Sequence, residues 1–229
     1  MGFIYAQKKS LAKSENAQRR AIQLKRSYLY GHHYYTLLLT MEGRVAEATY
    51  ENKLELLLDP LYPMAAGHRG VLSMMKGDLA GARQALENTL PLDSTAALML
   101  YYYGVLEAAD GNPGKAATYL ERAHAHAKRL PGVNAALAYV YSRLGRGKDA
   151  DAILTSLRAG NDAIELALAD AMMGNVDRAF ATLDTVPWDD TDKINPIPTV
   201  INLRASPLLA PLRADPRYPA LLRQMGFDR

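Results

Sequence analysis

Four glycines, Gly43, Gly77, Gly111 and Gly145, stand 34 residues apart, and five residues beyond each lies an alanine: Ala48, Ala82, Ala116 and Ala150. The pair recurs at Gly174 and Ala179 after a spacing of 29. Seven residues before each glycine sits a small side chain, Thr36, Gly70, Gly104, Ala138 or Ala167. A period of this length restricts the chain to folds in which one supersecondary unit stacks on the next, because a single unit cannot bury its own apolar face.

Within each period the apolar residues fall three and four apart, as in residues 98–110 and 113–127, and strand-like alternation is nowhere sustained. Each unit therefore reads as a pair of helices. The glycine suits the end of the first helix, where a left-handed residue lets the chain reverse within two or three positions. The small residue on the first helix and the alanine on the second let the two helices lie close together.

These marks resemble the tetratricopeptide repeat, whose motif carries a small residue on the first helix, a glycine at the turn, an alanine on the second helix and often a closing proline. The matching segments are TLLLTMEGRVAEA continuing to LLLDP, RGVLSMMKGDLAGA, YGVLEAADGNPGKAATYLERA and YVYSRLGRGKDADAIL. The closing proline is Pro60, while Ser94 and Lys128 hold the later places, departures that loosen helix ends without altering the fold. The resemblance implies an all-α, right-handed superhelical solenoid of about five antiparallel helix pairs over residues 1–186, completed within the same domain by a capping region over residues 187–229.

Residues 15–27 read as the second helix of an earlier, incomplete repeat. An exposed stacking face is a solubility liability, so a start in mid-repeat predicts a fragment of a longer protein, with Met1 and Gly2 foreign to it. At the other end, Ser206-Pro207 and Asp215-Pro216 open two short helical runs that break the period, proline suiting a first helical turn. The whole of residues 14–227 is similar to the C-terminal arrays of bacterial nucleotide cyclases and winged-helix transcription regulators. That similarity rests on Ser206-Pro207-Leu208, Asp215-Pro216-Arg217-Tyr218 and Met225-Gly226.

With 49% apolar and 22% charged residues the composition is that of a folded globular chain and excludes global disorder. There are no cysteines, which removes disulfides, thiolate metal sites and a cysteine nucleophile. Such a chain suits the cytoplasm, slightly favoured, or the periplasm. No stretch approaches the roughly 20 apolar residues that span a bilayer. The net charge is +3, yet residues 1–26 carry seven basic side chains against Glu15 alone, leaving +6 there and −3 elsewhere. Such a segment could face an acidic partner or a membrane surface, and a solvated helix face is the favoured reading. Nucleic-acid binding would need basic residues and stacking aromatics spread over one face, which the later repeats lack.

No cluster in the sequence calls for catalysis, a cofactor or a metal. The histidines fall at His32, His33, His68, His124 and His126, and neighbours one or two apart diverge on a helix, so none has a metal spacing and structural roles are expected. Residues 111–115 superficially look like a phosphate loop but lack its longer glycine spacing and the following Ser or Thr; they are a repeat turn. The acidic run Trp188-Asp189-Asp190-Thr191-Asp192 lacks the glycine and distal glutamate of a calcium loop and reads as a solvated loop.

The family resemblance places first helices on a concave face that serves as the working surface. In its register the groove holds Tyr30, His33, Leu37 and Met41, then Met64, Gly67, Val71, Met74 and Met75. Further along come Leu98, Tyr101 and Val105, then Tyr139, Ser142 and Arg143, then Asn161, Ile164 and Leu168. The partner-contacting set is Tyr30, His33, Leu37, Met64, Val71, Met74, Tyr101, Val105, Tyr139 and Arg143. The family's carboxylate clamp is absent, since His33, Tyr34, Leu37, Met64, His68, Leu98 and Tyr102 occupy its places, so chaperone-tail binding is not expected.

An apolar groove rich in methionine and tyrosine suits an amphipathic helix or an extended apolar segment of a protein partner. Met and Tyr at helical spacing equally serve repeat packing, and the tail from Trp188 onward could itself fold back and fill part of the groove. Two other readings are self-association through the stacking face and a small apolar ligand held near Tyr101 to Tyr103.

Overall fold

A computed structural model describes residues 10–89, 96–128, 130–190 and 196–227. Met1, Gly2, Lys8, Lys9, Ser94, Thr191 and Asp192 lie outside the described residues. Every regular element described is helical. A single helix, α1 (Leu11–Leu24), precedes five pairs: α2 (Leu29–Met41) with α3 (Val45–Leu58), α4 (Pro63–Met75) with α5 (Leu79–Thr89), α6 (Ala97–Ala109) with α7 (Pro113–His126), α8 (Val133–Arg143) with α9 (Gly147–Ala159), and α10 (Ala163–Met172) with α11 (Val176–Leu183). The tail contains α12 (Pro196–Ala205), a 3₁₀ turn (Pro207–Leu209), α13 (Ala210–Arg213) and α14 (Tyr218–Gln224). No described helix is long and apolar enough to cross a membrane.

The five repeat glycines all take positive φ, between 73° and 86°. At each, the residue after the glycine donates its N–H to the carbonyl five residues back: Arg44 to Leu39, Asp78 to Ser73, Asn112 to Glu107, Arg146 to Tyr141 and Asn175 to Asp170. This is the Schellman closure, which satisfies helix-end carbonyls and reverses the chain. The small residues act as expected. Ala48, Ala82, Ala116 and Ala179 are fully buried, and a Cβ placed on Gly70 or Gly104 would lie within 2.8 Å of the facing Leu86 or Leu120.

Helix α1 sits on α2 through buried Ser14 and Gln18. Arg44, in the first repeat turn, ties it down by contacting Glu15 (3.0 Å), Glu42 (2.8 Å) and Glu47 (2.7 Å), and the Arg44 hydrogen bond pulls the Glu15 carboxyl down to about 2. Lys13, Arg19 and Arg20 on α1, and Lys25 and Arg26 just after it, are all exposed.

The tail does more than cover the last pair. Trp188, buried, donates its indole N–H to the Leu183 carbonyl at the end of α11. Helix α12 then packs on α2 and α4, and the 3₁₀ turn that follows packs on α6 and α10. The segment therefore runs along the face formed by first helices.

Candidate functional site

The chain's own C-terminal segment covers part of the first-helix face, packing on α2, α4, α6 and α10. Val200, Leu203, Ala205, Leu209 and Leu212 are at most 1% exposed, so this segment is part of the core. Polar contacts fix its register. Tyr102 donates to the Asn202 side-chain oxygen (3.0 Å), the Asn202 amide donates to the Pro131 carbonyl (2.7 Å), and Arg204 donates to the Met41 carbonyl (2.9 Å) at the first repeat turn.

The expected groove residues are divided by this arrangement. Val71, Met74, Tyr101 and Val105 are buried core side chains, and His33 is buried with them. Leu37, Met64 and Tyr139 are half-buried, and Tyr30 and Arg143 are exposed. Tyr101 reaches the tail region, since a Cβ on Gly132 would meet both its hydroxyl and the Asn202 amide. Of the acidic run, Trp188 is a buried anchor and Asp189 is exposed.

Between α12 and the first three pairs lies a cavity of about 210 Å³. Its walls are mainly apolar: Leu37, Met64, Val71 and Leu98 from the first helices, with Ile197, Pro198 and Ile201 from α12. His33 and His68 line it too. Beside it, exposed Tyr28, Tyr30 and Tyr34 at the start of α2 make edge contacts, Tyr28 with Tyr30, Tyr30 with half-buried Tyr62 before α4, and Tyr34 with the buried His33 ring at 5.1 Å.

The two histidines and a glutamate form a cluster that helix spacing could not reveal, because each comes from a different helix: His33 from α2, Glu55 from α3 and His68 from α4. The imidazoles stack 4.8 Å apart at 10°. His33 Nδ1 lies 3.4 Å and His68 Nδ1 4.0 Å from one oxygen of Glu55, and Thr36 donates its hydroxyl to the other. Glu55 is fully buried and His68 Nδ1 has no hydrogen-bond partner. Burial holds the His68 imidazole down at about 4. The one signal in the sequence was the repeat itself: Glu55 stands where later periods place Thr89, Ala123 and Leu157. By contrast His32 is fixed between the Glu51 carboxylate and the Arg26 carbonyl.

No protein-family model and no curated protein matches the chain. Solved structures do. PilF of Pseudomonas aeruginosa is similar at 17% identity over 80% of this chain and 85% of its own, with a TM-score of 0.63. A tetratricopeptide-repeat protein of Parabacteroides merdae is similar at 16% identity over 93% and 81%, with a TM-score of 0.62. YrrB, described as a tetratricopeptide-repeat protein with an unusual peptide-binding site, is similar at 16% identity over 80% and 96%, with a TM-score of 0.54. With the glycine-closed helix pairs and their period, these likenesses give the chain the fold of the tetratricopeptide-repeat solenoids.

Proposed function

We propose that the chain is a non-catalytic protein-interaction module that takes an apolar segment of a partner at the amino-terminal end of its concave face. The carrying observation is the pairing of an exposed aromatic shelf, Tyr30 at 52% and Tyr34 at 37% exposure, with the apolar cavity beside it. Tyrosine offers a rigid contact with a polar tip and methionine an adaptable one. Half-buried Leu37, Met64 and Leu98 border the cavity, which suits an apolar anchor side chain. The peptide-binding site described for YrrB supports this use of the fold. The similarity to arrays of nucleotide cyclases and transcription regulators supports a place in a bacterial signalling protein, where occupancy would influence an effector domain.

A peptide-display selection on the purified chain tests the site, followed by fluorescence polarisation of the enriched peptides. Tyr30→Ala with Tyr34→Ala removes the shelf, and Leu98→Trp fills the cavity. Each variant is expected to weaken binding at least tenfold, and the peptides are expected to share an apolar anchor. Peptides that bind all proteins equally would place the site elsewhere.

Self-association is the second reading. Among the described residues, every large apolar side chain with substantial exposure except Leu144 lies between Leu24 and Leu61, and apolar surface concentrated in this way marks contact sites. A chain that sediments as a monomer at all concentrations removes this reading.

A further inference from the structure

We infer that His33, Glu55 and His68 form a binding site for a divalent transition metal of the zinc class, at the edge of the cavity beneath α12. Two imidazoles and one carboxylate are the ligand set that zinc and its neighbours take, with a fourth position open to water or to a donor atom from outside the chain.

The distances fit a site awaiting an ion. Ligand atoms bound tetrahedrally at roughly 2.1 Å sit about 3.4 Å from one another. His33 Nδ1 and one Glu55 oxygen are already 3.4 Å apart, and His68 Nδ1 and the same oxygen are 4.0 Å apart. Each of the three residues offers a ligand atom that lies within 4.8 Å of one from each of the others. Coordination requires the His68 ring to swing off its stack on His33, a movement that breaks no hydrogen bond of its Nδ1, which has none.

Three further features point to a ligand. A fully buried polar atom without a partner is costly, and His68 Nδ1 is one. Glu55 is a fully buried carboxylate with Thr36 donating to one oxygen and only the long His33 contact, 3.4 Å, at the other, and a buried carboxylate gains from a cation that completes such a set. A metal ion would satisfy both. Thr36 holds the second Glu55 oxygen, the outer contact that orients a ligating carboxylate. His33 and His68 also border the cavity, so an ion held by them would lie at the edge of the space where the proposed partner segment would place its anchor. The metal site itself rests on the cluster alone and stands whether or not a peptide binds there.

The untagged full chain, dialysed against a chelator and then against metal-free buffer, is titrated with Co²⁺ and followed by visible absorption. Binding of one ion per chain is expected, with d–d bands of the intensity of a four-coordinate site, lost on adding one equivalent of Zn²⁺. His68→Ala and Glu55→Gln are each expected to weaken Zn²⁺ binding at least tenfold by calorimetry, whereas His124→Ala with His126→Ala leaves it unchanged. Far-ultraviolet circular dichroism establishes that each variant is folded. Failure of the wild-type chain to bind one Co²⁺, or full retention of binding in folded His68→Ala, overturns the proposal. Since the readout is metal binding, it is independent of the peptide selection.

Discussion

At the scale of single residues, two buried carboxylates show how position sets chemistry. Glu55 meets two histidines and a threonine. Glu165, on α10, reaches instead to the start of α8, where it accepts the backbone N–H groups of Gly132 and Ala135. It closes orphan donors at a helix start from a neighbouring repeat. Burial outweighs those two hydrogen bonds and pushes its carboxyl up to about 7. Between its ordinary value of 4.5 and about 7, the folded chain keeps a proton that the unfolded chain has released. Glu165 therefore makes stability fall as pH rises through that window, by up to about 3 kcal/mol. Glu165→Gln does not titrate. Urea unfolding of both proteins at several pH values is expected to show the wild-type chain losing stability relative to Glu165→Gln between pH 4.5 and pH 7, with an equal pH dependence of the two proteins contradicting it.

Among the elements, the turns separate backbone strain from close packing. Gly111 has φ +78 and nothing within 4 Å of where a Cβ would sit, whereas Gly132 has φ +93 and would drive its Cβ into the Tyr101 hydroxyl and the Asn202 amide. Gly111→Ala is expected to cost about 1–2 kcal/mol, the cost of a left-handed L-residue alone. Gly132→Ala is expected to cost roughly 2 kcal/mol more, since overpacking adds to the strain. Chemical denaturation of the two variants ranks them, and equal costs would mean that the Gly132 contact relaxes freely. The glycine, alanine and small-residue positions of the helix pairs were legible because each is dictated locally, by a left-handed turn or a close crossing. The helix α12, which covers part of the groove on α2 and α4, was legible only as apolar residues in the tail.

For the whole molecule, the tail joins the two ends of the array. Arg204 contacts the first repeat turn, and the residues just beyond it contact α6 and α10. Leu203 is fully buried in this segment, and Leu203→Ala is expected to destabilise the chain by about 3 kcal/mol. Because α12 lies on α2 and α4, faster hydrogen exchange is expected in those helices as well as in the tail. Exchange that quickens in the tail alone would show it to be a separable appendage. The expected groove set is divided for the same reason: Val71, Met74, Tyr101 and Val105 lie within the core that the tail completes, while Tyr30 and Arg143 stay at the surface.

The sequence by itself determined the helix pairs, their number and the residues that close each turn, because those features repeat and depend on neighbours a few positions away. It could raise the possibility that the tail occupies the groove, but the contact from Arg204 to Met41 spans 163 residues, and no local pattern encodes it. The same holds for His33, Glu55 and His68. Each helix contributes one of them, so their meeting depends on how three helices stack, and only the tertiary structure brings two imidazoles and a carboxylate to one point under α12.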